Sequence, residues 1–222
     1  MDRIDGFASY SLAKFNLIND KDLIKKQYHL EPGEILSTAG TPLNYLYIVQ
    51  SGSIKHANIT EAGNEQVADF YFAGDIIGLD SLSTHQHFYN LIALEQTHVC
   101  AIAIEDIEDL IKTESWMQEA LLSLLSQKLL DRTQSLLIQH QHAEQKLAAF
   151  LLDLSKRLKR NNHSHQDYHL SMSRQEIGNY LHLSTETVSR IFSKFQLENL
   201  IDVQKKHIVL KDIKRLSDKV SH

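Results

Sequence analysis

The chain has 222 residues, 42% apolar and 23% charged, with a formal net charge of −5, an ordinary water-compatible composition with enough length for two modest cores. No apolar run approaches the ~18 residues a membrane span needs, the opening MDRIDGFASYSLAKF lacks the basic start and apolar stretch of a secretory leader, and the single cysteine excludes an intramolecular disulfide, which fits a reducing cytoplasm. The charge divides unevenly: residues 1–143 carry 9 basic and 19 acidic side chains and residues 144–222 carry 14 and 9, so a polyanion favours the C-terminal end.

From about Glu31 to Ile104 the chain runs in short apolar segments, YLYIV, SGSIKHA, QVADFYF, FYNLIAL and VCAIAI, separated by turn clusters such as Pro32-Gly33 and Ser51-Gly52. This spacing predicts an antiparallel β-roll or jelly roll. In its last segment His98, Cys100, Ile102 and Ile104 alternate with Val99, Ala101 and Ala103; both faces are largely apolar, so the strand is expected to be buried. Ser115 to His140 contains neither Gly nor Pro and is rich in leucine, which predicts one long helix. Leu122, Leu125, Leu129 and Leu136 form a heptad-like stripe, with Leu121, Leu124 and Leu137 away from it. That is more apolar surface than one contact needs, so one side is expected to meet the barrel and the stripe a second copy of the chain. A further helix is expected over Ala143–Arg160, then a polar loop, NNHSHQD. The architecture is therefore read as α+β: a β-roll sensor domain over 1–114, a dimerisation helix over 115–142, and a C-terminal domain over 143–222.

The stretch Ser171–Leu210 is the most informative. Ser173 followed by Glu176 is a capping box opening a helix to about Leu181, His182-Leu183 makes a turn, and Ser184 caps a second helix. This is helix-turn-helix spacing. On the second helix Val188, Ile191, Phe192 and Phe195 form a buried stripe, leaving Glu186, Arg190 and Ser193 on the opposite side. Arg190 and Glu186, one turn apart with Ser189 beside them, are chemically suited to guanine edges and the cytosine amino group. After it, LIDVQKKHIVL reads as two strands around a basic Lys205-Lys206 turn, a small wing whose lysines suit phosphates.

RQEIGNYLHLSTETVSRIFSKF, ITEAGNEQVADFYFAGDIIGLD and HAEQKLAAFLLDLSKR together resemble the cyclic-AMP receptor protein/FNR superfamily of bacterial transcription regulators, its FNR branch most closely. The resemblance covers most of the chain. It implies a β-roll sensor, a long dimerisation helix, a winged helix-turn-helix, a homodimer on palindromic double-stranded DNA with TTGAT-like halves, and RNA polymerase as a partner. By motif position it assigns base reading to Glu186, Ser189 and Arg190, and phosphate contacts to Ser173, Arg174, Ser184 and Thr187. His182 departs from the pattern, standing where the family often has glycine in a turn that favours positive φ.

The resemblance does not extend to the known effectors. Relatives that bind cyclic AMP carry a Gly-Glu pair and an arginine followed by Ser/Thr; here Gly78-Leu79-Asp80 lacks the glutamate and no arginine lies between Arg3 and Arg132, so bidentate phosphate binding has no guanidinium. The FNR branch holds an iron-sulfur cluster on four cysteines; Cys100 matches the barrel position and has no companion. Neither cyclic AMP nor a [4Fe–4S] cluster is expected, no other cofactor is assigned, and Cys100 reads as a small buried apolar residue. His85-x-His87 is read as solvated loop histidines. The open alternatives are a metal or haem sensor and a cupin-like metalloenzyme using Glu95 and His98, the latter without its expected glycines; no enzyme is expected.

Overall fold

The computed structural model describes residues 23–59, 65–139, 141–160, 164 and 166–221. Most of the chain up to Leu130 forms one compact unit and the chain from Asp131 forms another.

Up to Ala103 the described residues form eight strands: β1 (Ile24–Leu30), β2 (Ile35–Ser37), β3 (Tyr45–Ser51), β4 (Ser53–Ile59), β5 (Glu65–Phe72), β6 (Ile76–Ile77), β7 (Asn90–Ala93) and β8 (Thr97–Ala103). They form two four-stranded sheets, ordered β1-β8-β3-β6 and β2-β7-β4-β5, the β-roll expected from the segment spacing. Tyr47, Val49, Ile54, Tyr71, Ile77, Leu91, Val99 and Ala101 build one core cluster. The alternate residues of the first sheet, Leu46, Ile48, Ile76 and Ile102, build a second with Ile107 and Met117. That sheet is covered on both faces, which is why β8 is apolar on both and Cys100 is fully buried. At the β3–β4 hairpin Gly52 has φ 82°, and a Cβ there would stand 2.4 Å from the Gln96 carbonyl; only glycine meets both demands.

Two helices follow, α1 (Ile104–Thr113) and α2 (Ser115–Gln139). His140 lies outside the described residues. Trp116, Leu121 and Leu124 of α2 pack against the second cluster, whereas Leu122 and Leu129 are each 69% exposed, Leu130 55% and Leu136 50%. The helix thus presents one apolar side to the roll and leaves another in water.

The second unit contains α3 (Ala143–Arg160), β9 (Asp167–His169), α4 (Arg174–Leu181), α5 (Thr185–Leu197), β10 (Ile201–Gln204), β11 (His207–Leu210) and α6 (Ile213–Ser221). Leu147 and Leu151 of α3 pack in its interior with Ile177, Phe195, Ile208 and Leu216, all at 0% exposure. The wing is a three-stranded sheet, β10-β11-β9, rather than two strands. Its third strand begins in the stretch read as a polar loop. Tyr168 enters the core there, its hydroxyl donating to the Leu151 carbonyl at 3.3 Å, and burial pushes that phenol far above its ordinary pKa.

Candidate nucleic-acid interface

The interface is built on α4 and α5. Ser173 Oγ accepts from the Glu176 amide at 3.1 Å while the Ser173 amide donates to Glu176 Oε2 at 2.7 Å, so the predicted capping box closes in both directions. Helix α4 ends on His182 in the left-handed region, φ 55° and ψ 48°, the conformation suspected from its family position. The Leu183 amide returns to the Gly178 carbonyl at 2.8 Å. A Cβ on Gly178 would meet the Leu183 carbonyl at 2.6 Å, so the turn folds directly against this glycine, which sequence reading did not single out. Its signal was a glycine inside an otherwise good helix.

Ser184 then caps α5, accepting from the Thr187 amide at 3.1 Å, with its hydroxyl 2.9 Å from Thr187 Oγ1. Val188, Ile191, Phe192 and Phe195 are all buried, as their helical spacing predicts, and this holds the opposite side outward: Glu186, Ser189, Arg190 and Ser193 are exposed. The Ser189 hydroxyl donates to the Thr185 carbonyl at 2.8 Å, which keeps it as an acceptor toward a ligand.

Of the phosphate candidates, Ser173 and Ser184 are exposed at the first turns of α4 and α5, and Thr187 is half-buried. Arg174 differs: it is half-buried, its guanidinium lies 3.2 Å from the centroid of the Phe192 ring, and burial lowers its pKa to about 10, so it stays cationic at neutral pH while bracing α4 on α5. At the wing turn Lys205 has φ 59°, and Lys206 Nζ donates to the Ser171 carbonyl at 2.6 Å. Lys205 is exposed and makes no side-chain hydrogen bond among the described residues.

Beside α5 a cleft of about 640 Å³ is bounded by Arg190 and Lys194 of α5, Glu144 of α3, and Arg215, Asp218 and Lys219 of α6. Lys194 Nζ lies 2.5 Å from Glu144 Oε1 and 3.9 Å from Glu198 Oε1. Lys219 Nζ lies 2.8 Å from Glu198 Oε2 and 4.0 Å from Glu144 Oε2. The hydrogen bond from Lys219 holds the Glu198 carboxyl below its ordinary pKa, and the bond to Glu144 raises that of Lys194. Lys194 and Glu198 stand one helical turn apart, a spacing legible in the sequence, whereas Glu144 and Lys219 lie too far from them along the chain to signal a pairing.

The β-roll corrects one reading: His87 is not a solvated loop histidine. It is 2% exposed and stacks on Tyr47 at 6.0 Å between centroids, whereas His85 is exposed with φ 54°. A second buried histidine went unnoticed: His56 is 3% exposed, 4.4 Å from the Tyr89 ring, with Nε2 3.8 Å from an Asp80 carboxylate oxygen. Burial lowers the pKa of both histidines, against the opposing field of Asp80. Glu95 instead accepts from Ser53 at 2.8 Å and His98 meets His29 edge-on at 4.3 Å, so the cupin-like set is not assembled. Among the described residues no three His, Cys, Asp or Glu side chains are grouped to hold a metal.

Neither family effector fits these residues. Asp80, on the turn after Gly78, places a carboxylate rather than a cation 3.8 Å from His56, and residues 4–131 contain no arginine to grip a phosphate bidentately. Cys100 is one thiol, fully buried, with its pKa raised by burial, against the four thiolates of such a cluster.

A β-roll followed by a long helix and a winged helix-turn-helix defines a DNA-binding transcription regulator. Residues 27–114 match the cyclic nucleotide-binding domain family and residues 145–219 the Crp-like helix-turn-helix domain. The chain is 36% identical over 192 residues to electron transport regulator A of Shewanella oneidensis, covering 86% of this chain and 77% of that protein. It is 33% identical over 214 residues to the fumarate and nitrate reduction regulatory protein of Escherichia coli K12, covering 96% and 86%. The structure of FixK2 from Bradyrhizobium japonicum superposes with a TM-score of 0.79 at 25% identity, covering 87% of this chain and 96% of that one. The chain belongs to the cyclic-AMP receptor protein/FNR superfamily of transcription regulators.

Proposed function

We propose that the protein binds, as a homodimer, an inverted repeat with TTGAT-like halves and regulates transcription there through contact with RNA polymerase. The observation that carries this reading is the exposed row Glu186, Ser189 and Arg190 on a capped helix whose other side is fully buried. Those three read base edges in the major groove, while Ser173, Arg174, Ser184 and Thr187 fix the register on phosphates. Leu122, Leu125, Leu129 and Leu136 supply the dimer seam, so that two recognition helices meet two half-sites. The protein acts in the cytoplasm, where its DNA is, and as a regulator rather than an enzyme. Selection from random duplexes tests the reading: a two-fold repeat with TTGAT-like halves is expected, and Arg190→Ala is expected to cost about 1–3 kcal/mol on the selected site. Selection without such a repeat, or an Arg190→Ala protein with full discrimination, overturns it.

The protein performs this function without cyclic AMP and without a [4Fe–4S] cluster. Purified without oxygen, it is expected to be colourless, free of iron and sulfide, and unchanged in DNA affinity after exposure to air. A brown protein whose affinity collapses in air overturns this.

A further inference from the structure

Lys194 extends the row of Arg190 by one helical turn along α5 and lines the same cleft. Its side chain is 46% exposed, so nothing steric keeps its ammonium from a phosphate at the groove rim. What holds it is charge: Glu144 from α3 at 2.5 Å and Glu198 from the end of α5 at 3.9 Å. Lys219 of α6 reaches both carboxylates and completes an alternating set of four charges. At this exposure such pairs add little to stability, so their arrangement around the recognition helix invites another role.

We propose that Glu144 and Glu198 are specificity-determining residues, acting through Lys194: they hold its charge in pairs and so limit binding to DNA of arbitrary sequence. A free lysine on this row strengthens every complex by releasing a counterion, and it does so most on random DNA, where the protein shifts register to satisfy all its cations. On the operator, base contacts fix the register, so an added cation finds a phosphate less readily. The two carboxylates thereby widen the ratio of specific to nonspecific affinity without touching a base. This inference rests on α5 facing DNA as proposed above.

The test measures affinity of the full chain for the selected operator and for a random duplex across salt concentrations. In Glu144→Gln/Glu198→Gln the random-duplex affinity is expected to rise up to about eightfold at 0.1 M salt, and the slope of log K against log salt to steepen by ~0.9 for each lysine that gains a phosphate. The operator is expected to gain less, so discrimination narrows. Adding Lys194→Gln to this background is expected to reverse most of the steepening, which a merely structural role for the carboxylates does not produce. Glu144→Gln alone gives a smaller change in the same direction and keeps the test open if the double variant is poorly folded in a thermal melt. Unchanged or weaker random-duplex binding in these variants, or steepening that survives Lys194→Gln, overturns the proposal. Arg190→Ala separates this from the base-reading assignment: it probes discrimination at the operator, whereas the glutamine variants are read on random DNA.

Discussion

Gly178 and His182 constrain the turn between α4 and α5 in opposite ways. Gly178 lacks the Cβ that would strike the Leu183 carbonyl at 2.6 Å, whereas His182 carries a side chain in a left-handed conformation that costs a non-glycine residue roughly 1–2 kcal/mol. Gly178→Ala is therefore expected to destabilise the DNA-binding unit by about 1–3 kcal/mol through overpacking. His182→Gly is expected to stabilise it by up to about 1 kcal/mol, part of the relieved strain being offset by the greater freedom of glycine when unfolded. Urea unfolding followed by circular dichroism checks both signs. The caps at Ser173 and Ser184 were legible in the sequence because their partners lie three residues away. The burial of His87 was not, because its covering ring, Tyr47, is forty residues distant and the local HQHF pattern is that of a turn.

The α2 helix shows how far periodicity carries. Its leucine surplus was legible, and the structure divides it into Leu121 and Leu124, packed on the roll, and Leu122, Leu125, Leu129 and Leu136, exposed. A leucine that becomes fully buried contributes roughly 1.5–3 kcal/mol, so the proposed seam of four from each chain would be strong enough to decide association. Leu129→Glu places a carboxylate there, and sedimentation is expected to show a monomer with lost operator binding; a variant that stays dimeric rejects the seam. The α5 helix was readable for the same reason, its buried stripe and exposed row following from a 3.6-residue period. Strand β9 escaped because three residues with one apolar side chain carry no period, and their pairing with β11 is settled only when the fold closes. The four-charge set around Lys194 escaped likewise, since its members sit on three different elements.

At the scale of the whole chain the two units answer to pH and to topology. In the β-roll, His56 and His87 both have folded-state pKa values below the ordinary 6.5, chiefly through burial. The folded roll thus favours their neutral forms, and their contribution to stability is complete above about pH 6.5 and is lost as the pH falls from there through the lowered values. The urea midpoint of the β-roll is expected to drop between pH 7.5 and 5, and His56→Gln is expected to flatten that dependence; identical pH profiles contradict it. In the other unit, β9 pairs with β11 at His169 and His207, which seals the helix-turn-helix inside a loop of about 40 residues. Closing such a loop costs roughly 3 kcal/mol before pairing offsets it. A peptide cut at Ser171 loses the strand that fastens the loop. The smallest piece that can be grafted onto another protein as a working DNA reader must therefore begin upstream of Asp167, and transplanting the two helices alone is expected to give an unstructured peptide.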